Sequence, residues 1–116
     1  MLIGDAAGAS DPTWAQGLSI TTRDVRVLTE MLNATDDWNE ASHAYARVRD
    51  EYFDRLVKVT GWFFQLLLAQ GAEADAMRAL ALPLIAQEPE RVPEHLFGGP
   101  DLPCDETVRR RFFGEE

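Results

Sequence analysis

The sequence predicts a mainly α-helical fold: a helical hairpin with one very long helix, then short C-terminal helices and an extended segment that wraps the surface. Apolar residues recur every three or four positions over most of the chain, which is the period of a helix. Residues 37–70 keep this period without a break. All prolines but one lie between residues 83 and 103, where an extended segment is expected. Only Met1–Ile3 resembles a strand, as an N-terminal stub.

The first two helices are predicted over residues 16–32 and 37–70, and the short polar break between them makes them antiparallel neighbours. The second helix carries one apolar seam, in which Gly61 favours a bend. The seam residues are Trp38, Ala41, Tyr45, Val48, Tyr52, Leu56, Val59, Phe63 and Leu66. A third helix is predicted over 72–86, where Pro83 should kink or split it. Asp105 should cap a last helix over 106–113.

After Gly61 the second helix is apolar around most of its circumference. Such a helix is buried on several sides, and 116 residues supply little protein to bury it. One interpretation is plain core. The other, given equal weight, is a surface for a missing domain or for self-association through Trp62, Phe63, Phe64 and Leu67.

Composition excludes several classes of function. The 116 residues predict a single domain, and 11 basic against 20 acidic residues give a net charge of −9, which argues against nucleic acids and anionic membrane surfaces. The apolar stretch 57–68 is too short and too polar to span a bilayer, and no signal peptide is present, so a cytoplasmic location is expected. Cys104, His43 and His95 lack partners at metal-ligand spacing, which predicts neither a metal site nor a catalytic residue.

The segment 2–24 has the pattern of a short strand, a tight turn, a loop and a helix N-terminus. Gly4, Gly8 and Gly17 allow the backbone to approach another group closely. A helix N-terminus presents unpaired N–H groups and partial positive charge. Together with the acid Asp5, these features suit an electron-rich ligand that carries hydroxyl groups.

The spacing of these residues also resembles a known motif. Gly4-Asp5-Ala6-Ala7, Pro12, Gln16-Gly17-Leu18 and Asp24 are similar to the second FAD-binding motif of the flavin-dependent aromatic hydroxylases, the class A monooxygenases of the p-hydroxybenzoate hydroxylase type. The resemblance implies that Asp5, after Gly4, binds a ribityl hydroxyl. It also implies that Pro12 and the backbone of Gly17 and Leu18 lie against the isoalloxazine ring.

The likeness is sharp over about the first 25 residues and looser over the helices that follow. Three residues depart from the family pattern: Gly8 stands where the family often has histidine, Ala15 replaces a common glycine, and Ser19 a common asparagine. Asp24 has two interpretations, a surface acid on the first helix or an ion pair within the loop region, and the surface acid is preferred.

The family uses FAD, NAD(P)H and O2 to hydroxylate small organic, typically aromatic, substrates. Its ADP-binding G-x-G-x-x-G loop of the Rossmann unit is absent from this chain. The resemblance therefore implies the C-terminal fragment of a longer flavoprotein, not catalytic alone, with FAD bound in the full-length parent rather than by this chain. Two alternatives stay open: a stand-alone helical interaction module with a relic flavin motif, or a subunit that completes an FAD site in trans.

Overall fold

The structure, a computed structural model, describes all 116 residues and contains helices but no strand, which confirms the mainly α-helical prediction. The α-helices are α1 (Gly17–Ala34), α2 (Trp38–Leu67), α3 (Ala72–Gln87), α4 (His95–Gly98) and α5 (Glu106–Phe113). Single 3₁₀ turns lie at Gly4–Ala6, Pro12–Trp14 and Pro89–Arg91. The long helix of the prediction is α2, which has 30 residues.

The helix boundaries agree closely with the prediction, and the largest difference is the end of α2, predicted at residue 70 and found at Leu67. The Asp105 side chain caps α5 by accepting a hydrogen bond from the N–H of Val108 at 3.1 Å. Pro83 lies inside α3 without splitting it. The predicted strand at Met1–Ile3 is wrong, because no second strand is present to pair with it. The proline-rich segment is less extended than predicted, since it contains one 3₁₀ turn and α4.

The chain divides into two compact units, Met1–Asp54 and Arg55–Glu116, and the boundary between them lies within α2. In the first unit, α1 packs against the Gly4–Ala6 turn and contacts α2 through side chains described below. Its buried apolar residues are Ile20, Val27, Ala41, Tyr45 and Tyr52. Ala41, Tyr45 and Tyr52 belong to the predicted seam of α2, and the structure confirms that these three residues are buried.

In the second unit, α3 packs against α5 and against the 3₁₀ turn at Pro89–Arg91. The rings of Phe63 and Phe112 meet edge to face with their centroids 5.2 Å apart. Phe112 and Phe113 are both buried, which fixes the end of the chain. His95 is also buried, and its Nε2 lies 3.0 Å from the carbonyl oxygen of Leu102.

The apolar end of α2 divides between core and surface. Trp62 and Phe63 are buried, which favours the plain-core interpretation for these two side chains. Phe64 and Leu67 are each 49% exposed and remain available to a partner. None of the helices combines the length and the apolar character that crossing a membrane requires.

Candidate functional site

The segment before α1 begins with a tight turn whose first residue, Gly4, has to be glycine. Gly4 is buried and has a left-handed φ of +56°. Its carbonyl oxygen accepts hydrogen bonds from the N–H groups of Ala7 and Gly8 at 3.0 and 3.3 Å. A Cβ at Gly4 would lie 2.6 Å from Thr21 Oγ1 of α1. Both the backbone conformation and the packing against α1 therefore require glycine here.

Asp24 of α1 is completely buried behind this turn and accepts three hydrogen bonds. Its Oδ2 accepts the N–H of Gly4 at 2.7 Å and Nε of Arg49 at 3.2 Å. Its Oδ1 accepts a hydrogen bond from the hydroxyl of Tyr52. The prediction of a surface acid is therefore wrong. Asp24 does form an ion pair, but its partner is Arg49 of α2 and not a residue of the loop region, where the alternative had placed the pair.

Arg49 of α2 connects the same carboxylate to the backbone of the turn. Its Nη2 donates to the carbonyl oxygens of Gly4 at 3.3 Å and Gly8 at 3.5 Å. Its guanidinium lies over the Phe53 ring, 4.6 Å from the centroid. A Cβ at Gly8 would lie 3.2 Å from Phe53 Cζ. Gly4 and Gly8, expected to let the backbone approach another group closely, thus approach the side chains of Thr21 and Phe53.

Two buried tyrosines of α2 complete the interior of this region. Tyr52 donates to Asp24, and Tyr45 donates to the carbonyl oxygen of Leu2 at 3.3 Å. Burial, followed by the negative charge of Asp24, raises the pKa of Tyr45 to about 12. Burial and the hydrogen bond to Asp24 raise the pKa of Tyr52 further. Both phenols therefore keep their protons at neutral pH and serve as donors.

Asp5 and Gly17, two of the predicted cofactor-binding residues, are brought together at the start of α1. Asp5 is exposed, and its Oδ1 would lie 3.7 Å from a Cβ placed on Gly17. Apart from the two neighbouring residues and the backbone of α1 itself, no other atom lies within 4 Å of that Cβ position, and Gly17 is half-buried. Leu18 is 81% exposed. The carboxylate thus stands beside the positive end of an 18-residue helix.

Pro12 is also exposed and begins the 3₁₀ turn before α1. Asp11 caps this turn, since its Oδ1 accepts the N–H of Thr13 at 2.8 Å. The turn ends at Ala15, which has a left-handed φ of +54°. This is the position where the family that the motif resembles commonly has glycine, a residue that adopts this conformation without strain. Ala15 therefore adopts a backbone conformation that strains an alanine and would suit glycine.

Sequence reasoning missed Arg49 and Tyr52 as residues that support the site. The signal that could have found Arg49 is that it lies on the same face of α2 as the seam, four residues after Tyr45 and three before Tyr52. A charged residue at a seam position is buried and needs a partner of opposite charge. Asp24, at a position of α1 that also faces inward, is the partner.

The residues around the start of α1 fit the part of FAD that the motif implies. Asp5 offers exposed acceptor oxygens for hydroxyl groups. The first turn of α1 supplies N–H groups that have no acceptor within the helix, and the side chain of the N-cap residue Gln16 does not cap them. The residues that would hold the cofactor are Asp5, Pro12, Gly17 and Leu18. Gly4 is predicted to contact the cofactor too, although its N–H and C=O groups are bonded within the protein.

No protein-family model matches this chain, and neither a curated protein nor a solved structure matches it.

Proposed function

We propose that this chain is the C-terminal part of a cytoplasmic FAD-dependent monooxygenase, which hydroxylates a small organic, typically aromatic, substrate with NAD(P)H and O2. One observation carries the proposal: the exposed Asp5 carboxylate stands beside Gly17 at the N-terminus of α1. The spacing of the surrounding motif supports it, from Gly4-Asp5 through Pro12 to Gly17-Leu18. The chain alone is inactive, because it lacks the glycine-rich loop that binds the ADP half of the cofactor.

Each residue has a defined part in this proposal. Asp5 accepts hydrogen bonds from the ribityl hydroxyls, and its negative charge makes these bonds stronger than neutral ones. The N–H groups at Gly17 and Leu18 stabilise negative charge that gathers on the ring edge nearest to them. Pro12 bounds the site on the loop side. FAD, when bound, supplies the redox chemistry, while the protein supplies position and electrostatics.

Flavin retention tests the proposal. The 116-residue chain and the product of the longest reading frame that contains it are each mixed with FAD and desalted, and the visible flavin absorbance is recorded. We expect the longer product to retain flavin and the short chain to lose it. A longer product that retains no flavin would contradict the proposed function. Retention by the short chain would contradict the part of the proposal that requires a Rossmann unit.

A substitution at Asp5 tests the site itself. Asp5→Ala removes the acceptor, and losing a charged hydrogen bond should weaken FAD binding by the longer product about tenfold or more. Asp5→Asn keeps a neutral acceptor, so its FAD affinity should lie between that of the wild type and that of Asp5→Ala. Asp36→Ala, at an exposed position in the loop before α2, is the control and should leave the affinity unchanged. Equal affinities of the Asp5→Ala variant and the control would remove Asp5 from the site.

Completion of an FAD site in trans is a second candidate, favoured by the exposed Phe64 and Leu67 in the second unit. It predicts that flavin is retained only after a separate chain with a G-x-G-x-x-G unit is added. A stand-alone interaction module instead predicts a stable flavin-free oligomer. Size measurement with light scattering, with and without the second chain, separates these two outcomes.

A further inference from the structure

We infer that Asp24, Arg49 and Tyr52 form a buried cluster that holds the turn from Gly4 to Gly8 in one shape before any ligand binds. The three are therefore positioning residues for Asp5. The identity of the ligand, FAD, rests on the proposed function. The conformation of the turn does not, and it can be tested without a ligand.

The first argument comes from the backbone groups that the cluster binds. Asp24 accepts the N–H of Gly4, and Arg49 donates to the carbonyl oxygens of Gly4 and Gly8. Asp5 lies between these bonded groups, and its own side chain is exposed. The cluster thus fixes where the segment that carries Asp5 begins and ends, and it leaves the Asp5 carboxylate free for solvent or ligand.

The second argument comes from the burial of the charges. Asp24 is 0% exposed and Arg49 is 4% exposed, so neither is placed to meet a ligand directly. Replacing a buried ion pair by apolar residues is often neutral or stabilising. Stability alone therefore does not account well for this pair. The pair forms hydrogen bonds with three backbone groups, and all three belong to the turn. A positioning role explains why the pair binds this segment of the backbone.

The third argument concerns affinity. If the turn holds its binding shape only a fraction of the time, the apparent dissociation constant rises in inverse proportion to that fraction. Weakening the cluster should therefore weaken ligand binding without touching the ligand. The loss should depend on Asp5, because Asp5 is the group that the turn positions.

Arg49→Lys tests the conformation of the turn in the flavin-free, isotope-labelled 116-residue chain. Lysine keeps the charge, but it lacks the planar fork that reaches Asp24, Gly4 and Gly8 together. We expect amide exchange at Gly4 and Gly8 to accelerate about tenfold or more, the effect of losing a charged hydrogen bond, while the Val27 amide in α1 changes less. Arg47→Lys, at an exposed position of the same helix, is the control. Equal acceleration at all three amides would overturn the inference, because it would indicate general destabilisation.

The second measurement is the FAD affinity of the longer product in a double-mutant cycle of Arg49→Lys and Asp5→Ala. We expect Arg49→Lys to weaken binding about tenfold when Asp5 is present and much less when it is absent. An equal loss in both backgrounds would overturn the positioning role. Tyr52→Phe serves in the same cycle if Arg49→Lys does not fold. If the unsubstituted longer product binds no FAD, the proposed function fails, and the amide measurement still decides whether the cluster holds the turn.

Discussion

Asp24→Asn is the substitution that should reveal most about the first unit. Asparagine has the same shape as aspartate, but it replaces the negatively charged carboxylate that accepts hydrogen bonds from Gly4, Arg49 and Tyr52 by a neutral amide. Arg49, which is 4% exposed, would then be a buried cation without a counter-charge. Removing one partner of a buried ion pair costs about 3–5 kcal/mol. That is a large part of the 5–15 kcal/mol by which domains are typically stable.

Native-state amide exchange in α1 measures this loss within the first unit, and urea unfolding followed by circular dichroism measures it for the whole chain. Asp54→Asn, at an exposed position on α2, is the matched control and should change stability by about 0.5 kcal/mol or less. Adding Arg49→Met to Asp24→Asn removes the unpaired cation and should restore part of the loss.

If Asp24→Asn lowers the free energy of unfolding by less than about 1 kcal/mol, the reasoning is refuted, because a buried charge without a partner destabilises a protein by more than that. Failure of Arg49→Met to restore any stability would refute it in a second way. It would show that the loss came from the Gly4 or Tyr52 hydrogen bonds rather than from the stranded cation.

Three further predictions concern stability. Gly61→Ala should stabilise the chain by about 1 kcal/mol in thermal unfolding, because Gly61 lies inside α2 and its Cβ would meet no atom within 4 Å; a loss would indicate a contact at that position. Gly4→Ala should lower the free energy of unfolding by about 1–3 kcal/mol because of the left-handed φ of Gly4 alone, and the collision with Thr21 should add to this loss. Gly17→Ala should unfold at the same urea concentration as the wild type or at a higher one. Equal losses of stability in the two variants would contradict the conclusion that Gly4 in particular requires glycine. Because the pKa of Tyr45 rises from 10.0 to about 12 on folding, its contribution to stability is complete below pH 10 and is lost as the pH rises towards 12; Tyr45→Phe should flatten this alkaline decline in a urea titration, and an unchanged slope would exclude Tyr45 as its source.

The helices were predictable because their signals are local. Residues three and four positions apart define the seam of α2, and Gly71 and Asp105 mark helix starts through their own backbone or side chain. The predicted strand failed for the complementary reason. A strand needs hydrogen-bond partners on another segment, and the apolar character of Met1–Ile3 does not reveal whether such a segment exists.

The site was predictable only in part. The resemblance pointed to Asp5 and Gly17 as binding residues, and the structure places the two together, while their binding role stays a prediction. The burial of Asp24 depends on Arg49 and Tyr52, which are 25 and 28 residues away in the sequence. Periodicity within one helix cannot identify partners on another helix. A charged residue such as Arg49 within an apolar seam is the exception, since it signals that a partner of opposite charge lies opposite.

The turn from Gly4 to Gly8 is held through its backbone, and this has a consequence for how its chemistry can change. The cluster binds no side-chain atom of residues 5 to 7, and the side chains of Asp5 and Ala6 are exposed. The hydrogen bonds that hold the turn therefore do not involve the side chain of Asp5. Replacing Asp5 by another polar residue should therefore change the exposed side chain while the turn itself persists. A library randomised at positions 5 and 6 should retain folded members throughout, so the surface chemistry of this turn can be changed one residue at a time.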